Sequence, residues 1–238
     1  MARGASDGSS LALGARTYVR YVVPLTIAAL IVLAPIAYAG LRVRPPANAL
    51  HAKALLQLAW IIAGTAWTFQ LLLVGAAAPL ARAIADGAPV SQPRALGLAI
   101  GGVIRAFVPC LGAIAAVAIG GLALVLPGVA LLVLLSLTAA STARGMPAPL
   151  VDSAAIVRDR FWSVAAIVVA MVVFDVLLAV GAWKLLAWPL AKKVKPAQLA
   201  GYRDVVQVLA VGLLVASPIF AALLAGVAAR ARRPDQPA

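Results

Sequence analysis

The chain has 238 residues, 64% of them hydrophobic and only 11% charged, with 20 Lys and Arg against 7 acidic residues and a formal charge of +13. An average soluble domain is roughly 45–50% apolar and about 25% charged, so a water-soluble globular domain is excluded as the main body. The basic residues cluster at the ends of apolar runs instead of forming a stripe interleaved with aromatics. That distribution suits anionic lipid headgroups and membrane topology, and it argues against nucleic acid as a partner.

In chain order, residues 1–20 are small and polar, with Arg3, Arg16 and Arg20, and read as a disordered lead. A first membrane span is expected over about Tyr21–Leu41, with Pro24 and Pro35 inside it, since spanning helices tolerate proline. Ala37-Tyr38-Ala39 also fits a signal-cleavage pattern. The apolar run exceeds the usual signal core, so a retained helix is expected, with a cleaved signal over residues 1–39 as the alternative. A basic loop follows. The second span is about Leu55–Leu80, continuing as helix to Asp86 and stopping at Gly87. Ser91 and Pro93 open a new helix. Leu96, Ile100, Val103 and Phe107 share one face, so residues 92–106 read as an amphipathic helix on the cytoplasmic surface.

The third span, Val108–Leu126, and the short fourth, Val129–Ser141, form a hairpin turned at Pro127-Gly128. Gly112, Ala116 and Gly120 give the third span a row of small residues suited to close packing. Residues 147–161 form a second amphipathic surface helix with Leu150, Ala154, Val157 and Phe161 on one face. Residues 148–161 match 94–107 at an offset of 54, either as an internal repeat or because surface helices entering a membrane share this look. The fifth span runs Trp162–Trp183. At about 1.5 Å per residue its two tryptophans are about 32 Å apart, the thickness of a hydrocarbon core with an aromatic at each interface. A lysine-rich loop precedes the sixth span, Val205–Ala228. The expected architecture is all-α: about six transmembrane helices in a single domain over 21–229, two amphipathic cytoplasmic surface helices, and a basic tail over 230–238.

With the N-terminus inside, Arg3, Arg16, Arg20, Arg82, Arg94, Arg105, Arg144, Arg158, Arg160, Arg230, Arg232 and Arg233 are cytoplasmic. Arg42, Arg44, Lys53, Lys184, Lys192, Lys193, Lys195 and Arg203 are outside. The excess agrees with the positive-inside rule and places both termini in the cytoplasm. Arg94, Arg105, Arg158 and Arg160 are the expected contacts to anionic headgroups.

Asp175 stands mid-span in VAMVVFDVLLAV. An intramembrane carboxyl is costly, so it must face the bundle interior and either pair with a polar group or carry a proton. Thr65, Thr68 and Ser217 are at matched depth and complete a candidate polar site. That site is either a tie between helices or a proton or cation site. Gln57 and Gln70 are assigned to the two ends of the second span, where polar groups cost less. Cys110 is a lone cysteine in an apolar run. His51 is the only histidine and has no second ligand nearby, so no metal is expected. There is no glutamate, no carboxylate pair, no HExxH, GxSxG or phosphate loop. No catalytic or cofactor-binding residue is expected, and no enzyme activity.

The segment with Asp86-Gly87 and a following helix, then LALVLPGVALLVLLSLTAA with Pro127-Gly128, then Ser153, Arg158 and Phe161-Trp162, covers roughly residues 55–180. It resembles the six-helix bacterial membrane proteins related to the membrane domain of glycerophosphoryl diester phosphodiesterases. An acidic residue expected before the second surface helix is missing from TARGMPAP. In that family the catalytic barrel is a separate domain, so the resemblance implies no phosphodiesterase activity in these residues. It implies a multi-pass protein of the bacterial inner membrane. The expected role is lipid or protein-partner binding; the alternative is a small transporter or channel with its site around Asp175.

Overall fold

The structure is a computed structural model. It describes residues 3–35, 38, 42, 49–123, 125–182, 184 and 200–231. Among the described residues every regular element is an α-helix: α1 Arg3–Arg20, α2 Val22–Val32, α3 Ala49–Ala85, α4 Gln92–Ala123, α5 Val125–Leu135, α6 Thr138–Ala143, α7 Pro149–Asp159, α8 Phe161–Ala182 and α9 Ala200–Ala229.

Residues 3–20 are therefore helical, where the sequence reads as a disordered lead. Their tertiary contacts explain the difference. Ser10, Leu13, Gly14 and Thr17 repeat at helical spacing and are buried, and α1 packs along α9. The approach is close: a Cβ on Gly14 would lie 2.7 Å from the Ala222 carbonyl oxygen, and one on Gly226 would meet the backbone of Gly14 and Ser10. Only residues without a side chain permit this crossing.

The α1–α2 junction bends by 85° at Tyr21. Pro24 supplies the reason. A proline has no N–H to donate to the carbonyl four residues earlier and its ring crowds that carbonyl, which here belongs to Arg20. The orphaned Arg20 oxygen accepts instead from Gln92 Nε2 at 2.9 Å. The expected straight first span is thus a short apolar helix, α2, standing off a helix of different direction. Ala37 and Ala39 of the cleavage pattern lie outside the described residues.

α3 ends as its sequence requires. Gly87 adopts φ 69°, and the Ala88 N–H reaches the Ala83 carbonyl at 2.9 Å, closing the last turn. α4 then runs unbroken for 32 residues, about 48 Å at 1.5 Å per residue. Residues 92–106 are its first half and not a separate surface helix. Ala95, Ala99, Gly102 and Ala106 form its buried stripe, while Leu96, Ile100 and Val103 are half-buried and Phe107 is exposed. Gly102 crosses α3 at Gly75 so closely that a Cβ on either would strike the other's carbonyl.

Pro127 and Gly128, where a turn is expected, instead belong to the first turn of α5, where proline is tolerated. Of the small-residue row, Gly120 faces Gly128 and Leu131 of α5 and lets the hairpin close, whereas Gly112 is exposed. The fourth apolar segment is broken at Ser136-Leu137 into α5 and α6. Ser153 on α7 fills the break: its Oγ donates to the Leu134 carbonyl at 2.8 Å and accepts from the Leu137 N–H at 3.2 Å. α7 starts with Pro149, has Asp152 in its first turn, and ends at Asp159 with Arg160 as its cap, after which α8 begins at Phe161.

Among the described residues four helices are long and apolar enough to cross a membrane: Thr68–Ala85, Gln92–Gly120, Phe161–Ala182 and Arg203–Ala229, with the bent pair Ser10–Arg20 and Val22–Val32 as a fifth if it counts as one span. Gly128–Ala143 is a shorter apolar stretch. Leu and Val fill much of the interior, but large apolar side chains also cover the outside. Ala and Gly crowd the buried faces, while Ile104, Val108, Ile119, Leu177, Val211 and Val215 are each at least half exposed. Water would penalise such a surface and lipid would not.

Candidate functional site

The buried residues of α8 are Val164, Ile167, Val168, Met171, Asp175, Ala179 and Ala182. Asp175 lies among them on the inward face, and only 4% of the residue is exposed. Its partner is Gln70, whose Nε2 donates to Asp175 Oδ1 at 3.1 Å. Gln70 is itself 1% exposed. It sits 15 residues before the end of α3 and is the third residue of the apolar stretch Thr68–Ala85.

Ser217 and Thr68 of the expected site make no hydrogen bond to Asp175 among the described residues. Ser217 is fully buried, but its hydroxyl donates to the Leu213 carbonyl one turn earlier on α9. Thr68 is half-buried, and the side chain of Thr65 lies outside the described residues. α8 meets α9 instead where the Leu178 side chain covers Gly212. Gln70 was visible in the sequence as a polar residue in an apolar run. Nothing there registers α3 against α8.

A second polar cluster gathers at one end of the bundle. Tyr21 Oη accepts from the Val90 N–H at 2.9 Å and donates to the Val90 carbonyl at 3.3 Å, pinning the α3–α4 turn to the α1–α2 bend. Arg160 Nη1 donates to Ser10 Oγ at 2.8 Å, and Nη2 donates to the Arg230 carbonyl at 3.1 Å, beyond the end of α9. Arg160 therefore joins α1 and α9, a use the headgroup reading does not include. Arg144 and Asp152 face each other at 3.8 Å with their side chains 6% and 10% exposed. Arg144 and Arg82 also line a crevice of about 20 Å³ between Ala78 and Pro79 of α3, Ala140 and Ala143 of α6, and Ala228 and Ala229 of α9. That is room for a single water. Arg82 pairs with Asp86 at 3.3 Å on the surface, an interaction of little energetic weight.

Of the four expected headgroup contacts, Arg94, Arg105 and Arg158 are exposed and Arg160 is half-buried. Arg105 is the thirteenth residue after Gln92 on α4, about 20 Å along the helix, and does not mark a junction between two helices. Among the described residues no group of three or more His, Cys, Asp or Glu side chains is placed to hold a metal ion. No family model, curated protein or solved structure matches the chain.

Proposed function

We propose that the chain is a multi-pass protein of the bacterial inner membrane, without enzyme activity, that binds anionic lipid headgroups at its arginine-bearing cytoplasmic end. The observation that carries this reading is the pairing of two surfaces: apolar side chains turned outward along α4, α8 and α9, and exposed arginines at the end where α1, α7 and the α3–α4 turn meet. In the proposed topology α2, α3, α4, the α5–α6 segment, α8 and α9 make six passes. The α3–α4 turn, α7 and the end of α9 are then cytoplasmic, and α7 lies at that surface. The resemblance to the membrane domains of glycerophosphoryl diester phosphodiesterases points the same way and supplies no catalytic group. The test is gentle extraction followed by mass spectrometry of what copurifies. Anionic phospholipid retained by the wild type and depleted in Arg94→Ala/Arg158→Ala supports the proposal. A stoichiometric protein partner with no lipid enrichment replaces it with the partner-binding alternative.

A small transporter or channel with its site around Asp175 is the second reading, favoured by one observation, the buried Asp175–Gln70 pair. It requires water access to that pair. Cation-dependent flux in proteoliposomes that is lost in Asp175→Asn would establish it over the first.

A further inference from the structure

Gln70 and Asp175 raise a problem of hydrogen-bond accounting. Gln70 Nε2 serves Asp175 Oδ1, but Gln70 Oε1 is buried with no hydrogen-bond partner among the described residues. An orphaned buried acceptor is uncommon and calls for a donor. A carboxylate cannot be that donor, since it has no hydrogen to give; a carboxylic acid can. We propose that Asp175 keeps its proton, on Oδ2, and donates it to Gln70 Oε1, so that the two side chains close a neutral acid–amide ring that is a proton-binding site between α3 and α8.

One proton then settles both halves of the problem. It gives Gln70 Oε1 its donor, and it removes a negative charge from an interior in which no cation is placed beside Asp175 among the described residues. α8 packs against α3, α5, α7 and α9. α5 has no charged residue, α3 has none between Lys53 and Arg82, and α9 has none between Asp204 and Arg230. Arg203 and Asp204 pair with each other at 2.8 Å at the start of α9. On α7 the charges Asp152, Arg158 and Asp159 precede Phe161, at the far end of α8 from Asp175. A buried carboxylate without a counter-charge takes up a proton instead of staying ionised. The orientation of the Gln70 amide does not decide the matter. Turning it over exchanges its oxygen and nitrogen, which moves the proton from Oδ2 to Oδ1 and leaves the ring closed. The ring stands or falls independently of what the cytoplasmic end binds.

The same ring can be built from two amides, so Asp175→Asn is a neutral mimic of the acid while Asp175→Leu and Gln70→Leu each strand a polar group. The experiment uses the full chain in lipid nanodiscs at neutral pH. The infrared difference spectrum of wild type minus Asp175→Asn should contain the carbonyl stretch of a protonated carboxylic acid, shifted in deuterium oxide. Asp175→Asn should melt within about 2 °C of the wild type, with both leucine variants clearly lower. A difference spectrum with only carboxylate bands overturns the proposal. So does an Asp175→Asn variant that fails to fold or melts with the leucine variants, since a neutral isostere would then not replace the native group.

Discussion

Single side chains complete several of the backbone breaks in this protein. Pro24 forbids α1 from continuing, and Gln92 and Tyr21 satisfy the groups exposed at the bend and at the neighbouring turn. Tyr21→Phe keeps the ring and removes both bonds to Val90, one of which satisfies a backbone N–H. It should cost about 1–3 kcal/mol, read as a lowered melting temperature in detergent. Ser153→Ala strips the hydroxyl from the α5–α6 break and leaves the Leu137 N–H and the Leu134 carbonyl facing alanine. A loss of the same order, about 1–3 kcal/mol, is expected, and Ser153→Thr should recover part of it. At this scale the sequence is partly legible. Although α8 is apolar all round and the spacing of its residues selects no face, the cost of a carboxyl facing lipid is enough to turn Asp175 inward. Its partner is not readable, because Gln70 is 105 residues away and no local pattern fixes which turn of α3 lies beside which turn of α8.

Between elements, packing follows residues that have little or no side chain. The α3–α4 crossing at Gly75 and Gly102 is the clearest case. Gly102→Val places branched carbon against backbone that cannot withdraw without parting the helices, and it should cost about 3 kcal/mol or more. Gly97→Val on the same helix, where a Cβ would meet nothing within 4 Å, is the control and should be close to neutral apart from helix propensity. The crossing also explains why the first half of α4 is misread from sequence. Leu96, Ile100, Val103 and Phe107 do share a face, but it is not the buried one. In water the large apolar stripe seeks the core. In lipid it can stay outside, and the interior goes to the stripe that allows the closest approach, Ala95, Ala99, Gly102 and Ala106. The boundaries set by local chemistry, Gly87 after α3 and Pro149 before α7, are legible for the opposite reason: they depend on one residue's own torsions.

Across the whole molecule, the all-helical architecture and its apolar spans follow directly from composition. The α1 helix does not, because residues 3–20 gain their order from α9 and not from their own propensity. The contacts of Tyr21 with Val90 and of Arg160 with Ser10 and Arg230 draw α1, the α3–α4 turn, α7 and the end of α9 to one end. Cysteines placed singly at the exposed positions Ala12, Ala88 and Ala148 should therefore share one sidedness toward a membrane-impermeant maleimide, reacting in cells only after permeabilisation. Cys110 is 2% exposed and should stay silent, so the native chain serves as its own background. Labelling of Ala88→Cys and Ala148→Cys from opposite sides would sink the proposed six-pass topology.

The glycine crossing of α1 and α9 also sets a timetable. Gly14 leaves the ribosome some 212 residues before Gly226, its counterpart. Throughout synthesis of the intervening helices, α1 has only its smaller contacts with α2 and α3 and lacks its main seat. It can dock fully only after α9 has been inserted, and Arg160 can then fasten Ser10 and the Arg230 carbonyl together. Completion of the membrane domain is in this sense recorded at its beginning: a chain stalled before α9 would display an unlatched α1, open to protease, while a finished chain would not.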